Sequence, residues 1–249
     1  MTTDPTPLAG RVALVTGASA GIGRATALRL AAAGMRVAVC ARRAERLQAL
    51  QSEVEQLLPI PADLRDEADV QRVFAAVRER WGGVDVLVNN AGLGHMAPLV
   101  SGSTEHWREM LELNVLALSV CTREAITDMR RRGDDGHIVH ISSMAAHRVP
   151  PGSGMYSATK FAVRALTEGL RQELRELGSK IRVSAISPGF VETEFAELYH
   201  KDPAAKERTY GKFKVLEADD VAWLVHALVA APPHVQIHDV LLRPRDQLS

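Results

Sequence analysis

Tyr156 and Lys160 are four residues apart, and Ser143 precedes Tyr156 by thirteen residues. Residues at positions i and i+4 lie on one face of a helix, so these two side chains would be neighbours. A free tyrosine has a pKa of about 10 and exchanges protons poorly near neutrality, whereas a nearby ammonium group favours the phenolate. We therefore expect Lys160 to lower the pKa of Tyr156, and the Ser143 hydroxyl to polarise the same substrate oxygen.

A glycine-rich turn follows the first predicted strand, residues 12–16, and leads directly into a helical stretch. Glycine permits a tight turn and lets backbone amides approach a pyrophosphate at the positive N-terminus of a helix. An ordinary strand-to-helix turn is the alternative interpretation. We predict that the turn binds the phosphates of a dinucleotide through Gly17, Ser19, Gly21, Ile22 and Gly23.

Strand-like and helical segments alternate along the chain, which is typical of βαβ units around a parallel sheet. The predicted strands are 12–16, 36–41, 57–62, 84–89, 137–142, 182–186 and 235–242, and the longer predicted helices are 22–33, 68–81, 107–132, 156–177 and 219–230. Pro59 and Pro61 place the third strand at a sheet edge, where proline is tolerated. We expect one domain over residues 1–249, with a charged and less ordered substrate loop at about 190–215.

The composition argues against several classes of protein. The 249 residues are 46% hydrophobic and 24% charged, which suits one large α/β core. Thirty basic and thirty acidic residues give no net charge, so nothing indicates a nucleic-acid or membrane-surface binder. The nine histidines form no metal motif, and Cys40 and Cys121 lack paired spacing, so we expect no metal site and two buried thiols. A polar start and the absence of a long apolar run predict a cytoplasmic protein.

Motifs with characteristic spacing extend over nearly the whole chain. They are Thr16-Gly17-x-x-x-Gly21-x-Gly23, Asn89-Asn90-Ala91-Gly92, Asn114, Ser143, Tyr156-x-x-x-Lys160 and Pro188-Gly189. In this order they resemble the short, single-domain members of the short-chain dehydrogenase/reductase family. The resemblance implies a Rossmann fold, that is, a doubly wound parallel α/β sheet of about seven strands with helices on both faces. It also implies a nicotinamide-dependent oxidoreductase that assembles as a homotetramer or homodimer.

The resemblance also assigns roles to individual residues. Tyr156 exchanges a proton with the substrate oxygen, Lys160 lowers the tyrosine pKa and binds the nicotinamide ribose, and Ser143 orients the substrate. Asn114 resembles the family asparagine that holds a water molecule near Lys160, and a structural hydrogen bond is its alternative. The remaining cofactor contacts implied by the resemblance are Asp63, Leu64, Asn90, Ala91, Gly92, Pro188, Gly189, Val191 and Thr193. Asp63 and Thr193 have an alternative role as helix N-caps.

The end of the second predicted strand bears on the choice of cofactor. NAD enzymes usually place a carboxylate there to accept from the adenine-ribose 2′-hydroxyl, whereas a guanidinium can bind the 2′-phosphate of NADP. Here Ala41 is followed by Arg42 and Arg43. We predict NADPH or NADP+, with Arg42 as the main contact and Arg43 as a secondary one. The alternative is that the arginines only begin the solvated face of the next helix.

The substrate pocket is expected to form from loops that follow the strands. Their residues are mostly apolar, small or flexible, which favours a neutral and bulky carbonyl compound. Arg148 is the one obvious cation, and it either steers a substrate carboxylate or faces solvent. The predicted pocket residues are His95, Met96, Ala145, His147, Arg148, Met155, Phe190, Phe195 and Tyr199. His95 and His147 are interpreted as loop hydrogen-bond donors rather than proton-transfer groups.

Finer resemblances divide between two branches of the family. Residues 114–124 resemble a vertebrate branch that reduces ketosteroids, whereas the tail Arg243-Pro244-x-x-Gln247 resembles serine and 3-hydroxy-acid dehydrogenases. Our leading hypothesis is an NADPH-dependent carbonyl reductase that also oxidises secondary alcohols, acting on ketosteroids or aryl ketones. One alternative is a 3-hydroxy-acid or serine-type dehydrogenase. Another is a scaffold or sensor that binds NADP without chemistry, although the tyrosine, lysine and serine are all present.

Overall fold

The computed structural model describes residues 7–54 and 56–248. These residues form seven strands: β1 (Val12–Thr16), β2 (Arg36–Ala41), β3 (Leu57–Pro61), β4 (Val86–Asn89), β5 (His137–Ile141), β6 (Arg182–Pro188) and β7 (Asp239–Leu242). All pair in parallel, in the order β3-β2-β1-β4-β5-β6-β7. The predicted doubly wound Rossmann sheet is confirmed, and β3 with its two prolines lies at an edge.

Helices cover both faces of the sheet. They are α1 (Gly21–Ala32), α2 (Ala44–Glu53), α3 (Glu67–Trp81), α4 (Thr104–Leu111), α5 (Leu118–Arg131), α6 (Gly154–Glu176), α7 (Phe195–His200), α8 (Ala205–Tyr210) and α9 (Ala218–Ala230). Side chains alternate across a strand, so Val15 of β1 packs with α1, α2 and α9, while Leu14 packs with α3, α5 and α6. Within the described ranges, no helix is long and apolar enough to cross a membrane.

Two predicted elements differ from the structure. The predicted helix 107–132 is interrupted, because a π-helical segment, Glu112–Ala117, separates α4 from α5. The predicted strand 235–242 pairs only from Asp239 onward. Upstream, the side-chain amide of Gln236 binds the backbone of Val183, with Nε2 donating to the carbonyl oxygen over 2.5 Å. A side chain therefore takes the place that a ladder hydrogen bond would have.

The sheet reverses its strand order between β1 and β4, and their carboxyl ends are joined there by hydrogen bonds. The Thr16 hydroxyl oxygen accepts from the backbone amides of Asn90 and Ala91 over 3.0 and 2.9 Å. The Asn90 side-chain amide donates in return to the carbonyl oxygen of Thr16 over 2.8 Å. Ligands of open α/β sheets bind at the carboxyl end of the strands where the order reverses, so the fold itself marks this edge as the site.

Candidate active site

A continuous cavity of about 1060 Å³ runs along this edge of the sheet, from the glycine turn to Tyr156. Ligand pockets commonly measure about 300–1,000 Å³, so the cavity has room for a large ligand. The predicted cofactor residues that line it, besides Tyr156 and Lys160, are Gly17, Ser19, Gly21, Ile22, Arg42, Arg43, Asp63, Leu64, Asn90, Ala91, Gly92, Pro188, Gly189, Val191 and Thr193. Gly23 does not line the cavity, and its role in cofactor binding stays a prediction.

The glycine positions of the turn could not carry larger side chains without strain or a steric clash. Gly17 and Gly21 have φ angles of +66° and +53°, in the left-handed region that favours glycine. A Cβ on Gly23 would lie 2.6 Å from the Gly17 carbonyl oxygen, so this glycine allows the helix to pack against the turn. The N-cap residue of α1, Ala20, makes no side-chain hydrogen bond to the helix. The turn thus has the backbone donors and the close approach that a pyrophosphate requires.

The two arginines after β2 have different surroundings. The Arg43 guanidinium donates from Nε and Nη2 to the Ser19 hydroxyl, over 3.1 and 2.9 Å. Its Nη1 donates to Glu194 over 2.8 Å. Arg42 is exposed, borders the cavity, and lowers the pKa of Asp63 as a minor contributor after Arg65. The arginine expected to be secondary is therefore the one that is anchored to the glycine turn.

Asp63 and Thr193 each have a second possible role as a helix N-cap, and only the Thr193 side chain binds the start of a helix. The N-cap of α3 is Asp66, whose side chain accepts from the Ala68 amide over 2.9 Å. Asp63 instead pairs with Arg65 over 2.6 Å. Thr193 does bind the start of α7, because its hydroxyl accepts from the Phe195 amide over 3.2 Å. Both residues also line the cavity.

Ser143, Tyr156 and Lys160 meet on the wall of the cavity. Tyr156 and Lys160 lie in the first two turns of α6, and Ser143 follows the end of β5. The Ser143 hydroxyl lies close enough to Tyr156 to favour the ionised form of the phenol. The Lys160 ammonium is buried, donates to the Ile141 carbonyl oxygen over 3.1 Å, and lies 5.9 Å from the centre of the Tyr156 ring. A proton-exchanging phenol, a hydroxyl and a cation are therefore placed together.

The pKa values in this group differ from the sequence-based expectation. Burial raises the pKa of Tyr156, and the nearby Ser143 hydroxyl opposes that increase only in part. Burial also lowers the pKa of Lys160 to about 8. The expected lowering of the tyrosine pKa by Lys160 is not observed, and the Lys160 ammonium donates to the Ile141 carbonyl oxygen. At neutral pH Tyr156 is a proton donor and Lys160 is mostly charged.

Asn114 lies beneath this group, inside the π-helical segment, and is 1% exposed. Its carbonyl oxygen accepts from the Leu93 amide over 2.9 Å. Its Nδ2 donates to the Leu93 carbonyl oxygen over 2.8 Å and to the Thr159 hydroxyl over 3.0 Å. The structural hydrogen bonds considered as the alternative role are thus present, and π-helical turns are frequent at functional sites.

The substrate half of the cavity is enclosed by α7. The rings of Phe195 and Tyr199 have their centroids 5.5 and 5.9 Å from that of Tyr156. The Met96 amide donates to the Tyr199 carbonyl oxygen over 3.0 Å and fixes α7 to the loop after β4. On the other side, Gln247 accepts from the Phe190 amide over 3.0 Å and lines the cavity. The predicted pocket residues that line the cavity are Met96, Ala145, Arg148, Phe190, Phe195 and Tyr199.

Three predicted pocket residues lie outside the cavity lining, which corrects their placement. His95 has its Nε2 2.7 Å from Glu109, and its ring stacks on His106. His147 Nε2 is hydrogen-bonded to the Ser187 hydroxyl over 3.2 Å and lies 3.1 Å from Asp239, so the ring faces β6 and β7. Met155 is half-buried in the first turn of α6, one position away from the face that carries Tyr156. The side chains of residues adjacent in sequence point in different directions, and sequence spacing alone did not show which of them face the cavity.

Among the residues that sequence reasoning missed, two contact predicted site residues directly. Thr159 is hydrogen-bonded to Asn114, and Glu194 is paired with Arg43. Thr159 carries a weak signal, since it immediately precedes Lys160 in the tyrosine motif. Glu194 carries none, because its partner lies 151 residues away.

Residues 11–204 match the family described as short chain dehydrogenase. The chain therefore belongs to the short-chain dehydrogenase/reductase family and is an oxidoreductase of alcohol and carbonyl groups in small molecules, as the motifs predicted. It is 51% identical over 249 residues to Dehydrogenase/reductase SDR family member 11 of Bos taurus, covering 96% of this chain and 98% of that protein. It is 41% identical to Farnesol dehydrogenase of Aedes aegypti, covering 95% and 96% of the two chains.

A solved structure shows the same architecture. The closed form of a serine dehydrogenase complexed with NADP+ superimposes with a TM-score of 0.91 at 36% sequence identity, covering 96% of each chain. The fold prediction is confirmed by this likeness at the level of the whole sheet and its helices.

Proposed function

We propose that this chain is an NADP(H)-dependent carbonyl reductase, which also oxidises secondary alcohols, and that it acts on bulky neutral ketones. One observation carries the proposal. The same continuous cavity is bordered by Arg42 and Arg43 at one end and by Tyr156 under an aromatic wall at the other. Such a cavity accommodates an elongated dinucleotide and an apolar substrate side by side.

The reacting groups have complementary roles in this proposal. During reduction Tyr156 donates its proton to the carbonyl oxygen, and its raised pKa keeps that proton in place at neutral pH. Ser143, which lines the cavity beside Tyr156, holds the same oxygen in position. The nicotinamide, when bound, supplies the hydride. Lys160 would hold the nicotinamide ribose, and its buried positive charge would stabilise negative charge that develops on the substrate oxygen.

Arg42 and Arg43 support the preference for NADP(H). Residues 41–43 contain no carboxylate that could accept from a 2′-hydroxyl, and both guanidinium groups border the cavity. Charge-assisted hydrogen bonds from guanidinium to phosphate are about twice as strong as neutral ones, so a 2′-phosphate gains more there than a hydroxyl does. The serine dehydrogenase with a similar fold is described as complexed with NADP+.

The apolar side chains around Tyr156 support the choice of substrate. Met96, Phe190, Phe195 and Tyr199 all line the cavity, and aromatic walls favour flat or bulky apolar molecules. One relative is named Farnesol dehydrogenase, and farnesol is likewise apolar apart from its hydroxyl. A ketosteroid or an aryl ketone presents the same combination of one polar oxygen and a large apolar body.

The proposal is tested by following the oxidation of NADPH, and of NADH in parallel, with ketosteroids, aryl ketones, α-dicarbonyls and 3-oxo acids. Turnover of bulky neutral ketones with NADPH at a higher kcat/KM than with NADH would support both the cofactor and the substrate. Tight NADPH binding with no turnover of any compound would support the alternative of a non-catalytic NADP-binding scaffold or sensor.

A second candidate, a 3-hydroxy-acid or serine-type dehydrogenase, is favoured by the surroundings of Arg148. This residue lines the cavity, and its buried Nε has no hydrogen-bond partner among the described residues. Buried donors are normally satisfied, so a substrate carboxylate would suit this one. Arg148→Ala separates the candidates. A rise in KM relative to the wild type that is confined to acidic substrates would support the second candidate. KM values unchanged from the wild type for every substrate would support the first.

We also propose that copies of the chain associate as a homodimer or homotetramer in the cytoplasm. Leu111, Leu116 and Phe161 lie on or between α4 and α6 with 45%, 60% and 41% of their surfaces exposed. Exposed apolar side chains on neighbouring helices are typical of a self-association surface. Light scattering should give a mass of two or four chains, and Leu116→Asp should reduce it. A monomeric wild-type protein would contradict this proposal.

A further inference from the structure

Glu194 lines the cavity at the N-cap of α7, one residue before Phe195. Its Oε2 accepts from Nη1 of Arg43 over 2.8 Å, and its Oε1 accepts from Nη1 of Arg46 over 2.6 Å. Hydrogen bonds from Arg43 first, and then from Arg46, hold the pKa of Glu194 below its usual range. The carboxylate is therefore ionised at neutral pH, beside the place proposed for a phosphate.

Arg43 is held from two sides. Its Nε and Nη2 donate to the Ser19 hydroxyl in the glycine turn, and Nη1 donates to Glu194 in the segment that leads into α7. Ser19 is a neutral partner, and it belongs to the cofactor half of the cavity. Glu194 is an anionic partner, and it belongs to the segment that encloses the substrate half.

A 2′-phosphate bound by Arg43 would meet this carboxylate. A phosphate oxygen and a carboxylate that share one guanidinium repel each other, unless one of them leaves. The 2′-hydroxyl of NAD(H) carries no charge and has no such conflict. Binding of NADP(H) therefore requires Glu194 to give up its contact with Arg43, whereas binding of NAD(H) does not.

We propose that Glu194 is a cofactor-selectivity residue, whose carboxylate competes with the 2′-phosphate of NADP(H) for Arg43 and so weakens the binding of NADP(H) relative to NAD(H). This inference rests on the proposed cofactor site at Arg42 and Arg43. It adds that a residue from the substrate-binding segment, and not only the end of β2, sets the preference. When a phosphate takes Arg43, Glu194 keeps Arg46 as its partner, which lowers the cost of the exchange.

Glu194→Gln tests the proposal, with Glu192→Gln as a matched control. Glu192 lies two residues earlier, pairs with Lys206 over 3.2 Å, and has a side-chain exposure of 49%, against 41% for Glu194. Both variants lose one negative charge from the same segment, but only one loses the contact with Arg43. Dissociation constants are measured by calorimetry for NADPH, NADH, 2′,5′-ADP and 5′-AMP, and melting temperatures confirm that both variants are folded.

Glu194→Gln should bind NADPH and 2′,5′-ADP about three- to tenfold more tightly than the wild type, because a half-exposed ion pair contributes modestly. NADH and 5′-AMP should change by less than about twofold, as should all four ligands with Glu192→Gln. Unchanged or weaker NADPH binding by Glu194→Gln would overturn the inference. So would an equal gain for NADH, or an equal gain with Glu192→Gln.

The wild-type protein separates this inference from the proposed cofactor. Equal dissociation constants of the wild type for NADPH and NADH would contradict the proposed NADP(H) preference, but a selective gain by Glu194→Gln would still support competition at Arg43. A wild-type preference for NADPH together with no selective response to Glu194→Gln would retain the proposed cofactor and overturn only the role of Glu194.

Discussion

Asn114 and Thr159 are joined by a buried hydrogen bond of 3.0 Å, from the asparagine Nδ2 to the threonine hydroxyl. The same hydroxyl donates to the carbonyl oxygen of Tyr156 over 2.7 Å. Asn114 is in turn held by both backbone groups of Leu93. The π-helical segment, the loop after β4 and the first turn of α6 are thus connected through one side-chain amide, and this connection fixes the backbone that carries Tyr156.

Replacing Thr159 by valine should lower kcat while leaving the dissociation constant of NADPH nearly unchanged. The valine keeps the volume but removes the hydroxyl, so the Asn114 amide loses one acceptor and the Tyr156 backbone loses one donor. Small displacements of reacting groups cost about 10- to 100-fold in rate. Single-turnover kinetics would measure the effect. Thr159→Ser restores the hydroxyl and should recover most of the rate; failure to recover it would assign the loss to packing instead.

Tyr156→Phe should abolish turnover, with a loss of at least about 10²–10⁴-fold, because it removes the only proton that the phenol can give. The ring contacts with Phe195 and Tyr199 remain, so NADPH should still bind. Steady-state assays and calorimetry measure the two quantities. Tyr199→Phe is the comparison variant, since its hydroxyl is also buried but has no hydrogen-bond partner within the described residues. Equal losses in both variants would contradict an acid–base role for Tyr156.

Arg42→Ala and Arg43→Ala should each raise the KM for NADPH more than the KM for NADH. Arg43 also loses its bonds to Ser19, so its replacement should disturb the glycine turn and have some effect on NADH. Initial-rate measurements with both cofactors give the comparison. Arg72→Ala removes a cation that pairs with Asp69, outside the cavity lining, and controls for total charge. Equal effects of Arg42→Ala on both cofactors would support the alternative that Arg42 only begins the solvated face of the helix.

His140 should make the protein sensitive to acid. It is buried in β5, where Thr122 and Thr167 bind its two ring nitrogens over 3.3 and 2.9 Å. Burial first, and then the charge of Lys160, lower its pKa to about 4. The unfolded chain takes up a proton near pH 6.5 and the folded chain only near pH 4, so the free energy of unfolding falls as pH decreases through this window.

Urea denaturation at pH 7 and pH 5 measures this sensitivity. Over this range the wild type should lose about 2 kcal/mol more than His140→Gln, which has no proton to gain at that position. Equal losses in the two proteins would show that His140 does not carry the effect. His137, whose pKa burial lowers to about 3, is present in both and cancels in the comparison.

The sheet order and the cavity edge could be predicted from sequence because their signals are local. Gly17 and Gly21 adopt the left-handed turn that their spacing indicated, and the prolines of β3 marked a sheet edge. Directions of side chains were less predictable. His95 and His147 follow strand ends, as expected for pocket residues, but a carboxylate near each ring draws it away from the cavity. The partner of a charged group is set by tertiary packing, which periodicity does not encode.

The π-helical segment could not be predicted from the hydrophobic periodicity either. It shifts the register of a helix by one residue, and an apolar face read at a period of 3.6 continues through such a shift almost unchanged. The pair of Arg43 and Glu194 shows the same limit at long range, because two solvated charges 151 residues apart give no sequence signal of their contact.

The bond between Gln247 and the Phe190 backbone brings the tail of the chain into the wall of the cavity. A second contact joins the Gln247 amide to the sulfur of Met144. Over residues 243–248 the tail after β7 forms no strand and no helix, yet Gln247 is buried there against the cavity wall. Exchange of the tail between homologues should therefore alter the substrate range, while the reactive tyrosine, its helix and the whole sheet are left unchanged.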